Sequence, residues 1–271
     1  MVAKYHLEPE NDDEVWAQEN KNRKFGCSCG QGCVGVMILL FFIAIYSIEP
    51  HESSRLLQCC NNEKQIMLAL HTYYDAHHRS HSFPPAYSTD VNGKPLHSWR
   101  VLILPFLEQG ELYEQIRLDE PWDSEYNRQF HNKMPSCYWC DSASSHRAGK
   151  TGMNRHGMTC YMRVVGTGTT TDGPGTIEIK LNEIKGHLPE IVALVEVYPT
   201  VNWMAPVDIS PEQLAAGIDR KKKLGIGSYH YGKINVAMLD GSATTMTENE
   251  VPSLVEKVII PNDIEILFEE K

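Results

Sequence analysis

Cys137 and Cys140 stand with two residues between them, a spacing that supplies half of a four-ligand zinc site. The sequence offers no matching second half. Cys27, Cys29 and Cys33 bring three soft ligands into seven residues, again with no evident fourth, and read as a reduced patch of small residues. His71, His77, His78 and His81 crowd one stretch, and His77 and His81 would share a face of any helix that reached them. Ser80 and Ser82 mark a fraying helix end, so these read as ordinary exposed histidines. Nine residues separate His230 from Asp240-Gly241. One reading makes His230 and Asp240 a polar or metal-binding pair across a hairpin. The other makes Asp240-Gly241 the turn itself, with His230 hydrogen-bonding a loop backbone. Turn chemistry explains Asp-Gly without a ligand, and that structural reading is preferred.

Other chemistry is weakly signalled. Ser144 to Thr151 reads SSHRAGKT, which ends like a phosphate-binding loop but has Ser144 where the first glycine belongs. The sequence holds no G-x-S-x-G, no H-E-x-x-H and no G-x-G-x-x-G after a strand. Glu108, Glu111 and Glu114 would line one helix face as a solvated acidic row. Trp99, Trp122, Trp139 and Trp203 read as packing residues rather than a sugar platform. Net charge is −10, and the basic cluster Arg220–Lys223 reads as a solvated loop. Nucleic acid is thereby set aside. No catalytic residue, cofactor or metal is expected, and the chain reads as non-enzymatic.

The elements that position these residues begin with Val34 to Ile48, VGVMILLFFIAIYSI, which carries no charge. With Gly32 and Cys33 it would span roughly 25 Å as a helix, near the lower limit for a bilayer core. It has no polar stripe, unlike a surface helix of a soluble domain. Lys21, Arg23 and Lys24 precede it and Glu49 and Glu52 follow, which places the N-terminus in the cytoplasm. The stretch starts far from Met1 behind an acidic tail, so it reads as an uncleaved anchor. The expected organisation is a cytoplasmic tail over 1–33, a transmembrane helix over 34–48 and an extracytoplasmic domain over 49–271.

Leu56, Cys59, Ile66, Leu70 and Tyr73 continue at helical spacing and predict one buried face. Glu63 interrupts that stripe and must sit at its rim or find a partner. Phe83-Pro84-Pro85 stops the helix. VLILPFLEQGELYEQI predicts one short helix with Pro105 at a boundary. Strands are predicted at Tyr161–Val165, Thr176–Ile179, Ile191–Val197, Ile234–Leu239 and Ser242–Met246, the last two joined at Asp240-Gly241. The fold class expected is α+β, a long N-terminal helix packed on a mostly antiparallel sheet.

Several blocks are then recognisable in order: QCCNNEKQIMLALHTYYDAH (58–77), FPPA (83–86), NGKPLHSWRVLILPFLEQGELYEQIRLDEPWDSEYN (92–127), VVGTGT (164–169), VNWMAPVDI (201–209) and His230 with Asp240-Gly241. The chain resembles the bacterial DUF1559 family, prepilin-type proteins named for an H-X9-DG motif. The resemblance implies a pseudopilin-like fold outside the cytoplasm and no established chemistry. The chain departs from the family's usual opening, for it has no Phe-Thr-Leu-x-Glu and no glutamate in its apolar segment. The family also tends to carry cysteine in the blocks holding Cys59 and Cys140. The resemblance therefore implies a Cys59–Cys140 disulfide, worth roughly 4 kcal/mol by loop closure. Five cysteines lie beyond the apolar segment, so one at least stays free or bridges elsewhere.

The expectation is a single-pass, pseudopilin-like interaction or structural protein of the bacterial inner membrane. Its C-terminal domain would be periplasmic, its partners envelope proteins or copies of itself. Two alternatives stay open. One is a true secretion-system pseudopilin that enters a filament. The other is an extracytoplasmic ligand-binding or hydrolytic domain around His230, Asp240 and Trp203.

Overall fold

The computed structural model describes residues 32–77, 81–143, 157–175, 177–179, 181, 184, 186–217, 225–230, 232–257 and 267–268, with backbone alone for 32–51, 177–178, 255 and 267–268. The chain divides into two units, Met1–Glu49 and Pro50–Lys271. The tail 1–31, with Cys27 and Cys29, lies outside the described residues, as do Ser144–Thr151, Arg220–Lys223 and His78. The side chains of the apolar run 34–48, and of Cys33 before it, lie outside them too. Among the described residues no helix is long and apolar enough to cross a membrane.

In chain order the elements are helix α1 (Gly32–Ala76), strands β1 (Tyr87–Thr89) and β2 (Pro95–Ser98), helices α2 (Trp99–Leu102) and α3 (Gly110–Gln115), and strands β3 (Met158–Met162), β4 (Ile177–Glu178) and β5 (Val192–Asn202). Helix α4 (Pro211–Ala215) and strands β6 (Gly225–Ile226), β7 (Lys233–Met238), β8 (Ala243–Thr247) and β9 (Leu267–Phe268) follow. The architecture is α+β, a long helix and an antiparallel sheet.

From His51 to Ala76 helix α1 contains neither glycine nor proline, so nothing local interrupts it. Cys59, Ile66, Met67 and Leu70 recur at helical spacing and are buried. Each large apolar side chain so buried contributes about 1.5–3 kcal/mol relative to exposure. The helix ends at Ala76, ahead of Phe83-Pro84-Pro85.

The main sheet runs β3-β5-β7-β8, with β6 also paired to β5, and every ladder in it is antiparallel. Both faces of its centre are covered. On one face Cys160, Leu194 and Ala237 join Cys59, Ile66 and Leu70 of α1 in one apolar cluster. On the other, Met162, Val195, Val197 and Val236 pack with Leu214 of α4 and with Val251 and Leu254 of the 3-10 segment Glu248–Lys257. This double coverage is why β5 reads as a near-continuous apolar run rather than an alternating one. Strands β4 and β9 form a separate two-stranded ladder, as do β1 and β2.

Asp240-Gly241 turns the β7–β8 hairpin. Gly241 takes φ +86°, and Asp240 Oδ1 accepts from Ser242 N at 2.8 Å. The single helix expected over 101–116 is instead three pieces, α2, a 3-10 turn at Leu104–Leu107 and α3. Pro105 cannot donate to a continuing ladder, and Glu108 in the left-handed region (φ +59°) ends the turn.

Candidate metal centre

Four side chains from four parts of the body converge between α1 and the sheet. They are Cys59 from α1, Cys140 from the loop after the 3-10 turn Ser136–Tyr138, Glu196 from β5, and His230 from the loop joining β6 to β7. One ligand atom from each lies within 4.8 Å of all the others. Relative exposure is 0% for Cys59 and Glu196 and 1% for Cys140 and His230, so solvent reaches none of them.

Backbone geometry sets each one. Cys59 lies on the buried face of α1. One turn on, Asn62 Nδ2 donates to Trp139 O at 2.8 Å and holds the Cys140 loop against the helix. Glu196 lies where β5 passes from its β7 ladder, which ends at Val195–Val236, to its β6 ladder, which begins at Val197–Ile226. At that junction Asn235 N donates to the Glu196 carboxylate (Oε2, 2.9 Å) and Gly227 N donates to Glu196 O (3.1 Å). Asn235 Nδ2 in turn donates to Leu56 O of the helix at 3.2 Å. In the loop after β6, Ser228 Oγ accepts from His230 N at 3.1 Å.

His230 is the hub. Its Nε2 lies 3.6 Å from Cys140 Sγ and 3.6 Å from Glu196 Oε1. Its Nδ1 lies 2.6 Å from Glu52 Oε1, and that oxygen also accepts from Ser142 Oγ at 2.9 Å. Hydrogen bonds from Cys160 and Cys59, then from His230, hold the Cys140 thiol far below its usual range. Accordingly Cys59 and Cys160 are pushed up: Cys59 first by its bond to Cys140 and then by burial, Cys160 first by burial. Burial, reinforced by charge on Cys140, raises Glu196 to about 7. For His230, burial acts downward, but the bond to Cys140 and the charges of Glu196 and Cys140 outweigh it and raise the imidazole to about 9. Two thiols, one imidazole and one carboxylate are the donor types of a borderline-soft transition metal.

The sequence expectations meet this site only in part. Cys59 and Cys140 are brought together, but as free thiols and not as the expected disulfide. Cys140 is instead shared in hydrogen bonds with Cys59, Cys160 and His230. His230 enters the cluster, whereas Asp240 is exposed on its turn. The suggested His230–Asp240 pair is not formed, and the ring nitrogens of His230 meet side chains rather than a loop backbone. Cys137 is buried outside the four-ligand group. His71 Nε2 contacts Leu239 O at 2.8 Å, His77 Nδ1 contacts Tyr73 O at 2.8 Å, and His81 is exposed. Glu108, Glu111 and Glu114 are exposed, and Trp203 is buried, stacked on Tyr138. Glu63 is not at a rim: it is fully buried, and among the described residues neither carboxylate oxygen has a hydrogen-bond partner. Sequence reasoning missed Glu196 and Glu52. The available signal for Glu196 was a lone carboxylate inside the apolar run Ile191–Val197.

A second buried polar network joins three of the blocks quoted for the family resemblance, 83–86, 92–127 and 201–209. Arg100 of α2 donates to Tyr161 O (Nη2, 2.7 Å) and pairs with Asp208 (2.9 Å). Asp208 Oδ1 also accepts from Trp99 Nε1 (3.1 Å) and Arg163 N (3.0 Å), and Arg163 Nη1 donates to Pro84 O (2.7 Å).

No curated protein and no solved structure matches the chain. The family profile described as "Protein of unknown function (DUF1559)" matches residues 49–183, a stretch that includes Cys59, Arg100 and Cys140. By that match the chain belongs to the DUF1559 family.

Proposed function

We propose that this protein is a membrane-anchored, non-enzymatic, pseudopilin-like interaction or structural protein of the bacterial cell envelope. The run 34–48 is its single-pass anchor, residues 1–33 its cytoplasmic tail, and 49–271 its periplasmic domain. The observation that carries the reading is helix α1. Its later turns bury one face on an antiparallel sheet, and its earlier turns contain the uncharged apolar run. A helix of that composition gives a β-rich head a direct attachment to a bilayer. The function is then docking by the head onto envelope proteins or other copies, aided by helix packing in lipid.

Cell fractionation tests this. The full chain should stay with membranes after an alkaline carbonate wash, and protease added to spheroplasts should digest residues beyond 49. Recovery of the intact chain in the soluble fraction would overturn the anchor. The mass of the mature N-terminus separates the filament alternative: an unprocessed Met1 rejects it, and cleavage beside the apolar run supports it.

A further inference from the structure

We infer that Cys59, Cys140, Glu196 and His230 form a closed, four-coordinate site for one transition-metal ion, of which zinc fits best. The inference stands on the folded body alone and does not depend on the membrane anchor.

The spacing fits a single ion. Zinc bonds of roughly 2.0–2.3 Å set the edges of a tetrahedron at roughly 3.3–3.8 Å. His230 Nε2 lies 3.6 Å from both Cys140 Sγ and Glu196 Oε1, and all ligand atoms fall within 4.8 Å of one another.

The imidazole is already set for this task. Glu52 keeps the proton on Nδ1, so a metal that displaces the Nε2 proton meets the Nε2 lone pair, the carboxylate–histidine arrangement found behind metal-bound histidines. Among the described residues Glu196 Oε1 is buried with no hydrogen-bond partner, and it lies 3.6 Å from His230 Nε2 at the same centre. An orphaned buried carboxylate oxygen is costly, and a cation satisfies it. The other Glu196 oxygen is held by Asn235 N, which fixes the carboxylate plane.

The donor set selects the metal. Two thiolates disfavour magnesium and calcium, while an imidazole and a carboxylate dilute the softness that copper(I) prefers. All four positions come from protein and solvent reaches none, so the site has the closed form of a structural zinc rather than the open form of a catalytic one. Its effect would be to tie α1 to the Cys140 loop, to β5 and to the β6–β7 loop at one point.

The test uses the full chain, purified under reducing conditions and supplied with zinc, then with cobalt in its place. Elemental analysis should find about one zinc per chain, and cobalt should give tetrahedral ligand-field bands with thiolate charge transfer. Cys140→Ser and His230→Ala should each weaken binding about tenfold or more, while Cys137→Ser and Asp240→Asn leave it unchanged. If the ligand variants fail to fold, the wild-type chain alone decides. Zinc should slow alkylation of Cys59 and Cys140 but not of the partly exposed Cys60. A folded wild-type chain that binds no stoichiometric metal overturns the inference. So does a Cys59–Cys140 disulfide in the mature protein, which removes both thiolates.

Discussion

Glu52 and His230 are 178 residues apart in sequence, yet Glu52 Oε1 lies 2.6 Å from His230 Nδ1. Glu52 is itself held, by Ser142 Oγ on one oxygen and by Arg55 at 3.5 Å on the other. The carboxylate thus acts as a bracket that fixes one imidazole ring. Glu52→Ala leaves all four ligands in place but frees the ring to rotate. Metal affinity should fall about 10- to 100-fold, measured by competition with a chromophoric chelator. The cobalt ligand-field bands should also shift, which a loss of stability alone would not produce. Unchanged affinity and unchanged bands would show that Glu52 does not orient the ring.

Glu63 makes a different prediction. Burial first, then nearby charge on Glu196, Cys60 and Cys140, pushes its carboxyl well above the ordinary 4.5. The folded state therefore prefers it neutral. A raised folded pKa contributes stability that is full below the unfolded value near 4.5 and lost as pH rises through the folded one. Denaturant titrations of wild type and Glu63→Gln should diverge in that direction, with wild type losing ground as pH climbs. Glu63→Leu should stabilise the neutral protein by about 1–3 kcal/mol, because it removes a buried group that has no hydrogen-bond partner. Parallel pH profiles for wild type and the glutamine variant would contradict this account.

Glu63 also shows where the sequence was readable. The apolar stripe of α1 could be traced at Cys59, Ile66 and Leu70 because helical spacing is local information. Strands β5, β7 and β8 could be traced for the same reason, as could the Asp-Gly turn. Glu63 was visible as an exception, but its outcome depended on what packed above it. Cys59, Cys140 and His230 could each be singled out from the sequence, but their meeting with Glu196 could not. Cys59, Cys140, Glu196 and His230 span most of the domain, and they meet only through the packing of α1 on the sheet and of two loops beside the point where β5 passes from its β7 ladder to its β6 ladder. Nothing in the neighbourhood of His230 announces Glu52. The 101–116 stretch was misread for the opposite reason: its apolar pattern is helical, but Pro105 and the positive φ of Glu108 break it locally.

Gly241 and Asp240 separate turn from ligand. Gly241 has φ +86°, and a Cβ there would meet nothing within 4 Å, so the cost of Gly241→Ala is conformational alone. It should be about 1–2 kcal/mol by thermal or denaturant unfolding. Asp240→Asn keeps a side-chain oxygen for Ser242 N and should change both stability and metal content little. A loss of bound metal in Asp240→Asn would restore this residue to the site.

Arg100 and Asp208 test what joins the family's blocks. Arg100 is fully buried, and its guanidinium is shared between Asp208 at 2.9 Å and Tyr161 O at 2.7 Å. Removing one partner leaves the other charge buried and unpaired, which costs about 3–5 kcal/mol. Arg100→Met and Asp208→Leu should therefore each destabilise by an amount of that order. The double variant should cost less than the two losses added together, since it removes both members of the pair, although the buried Arg163 guanidinium still loses the nearby charge of Asp208. Its remaining penalty comes from Tyr161 O and from the donors Trp99 Nε1 and Arg163 N, which lose their partner. A double-mutant cycle by chemical denaturation measures the coupling. Strict additivity would mean that the two residues do not act as a pair.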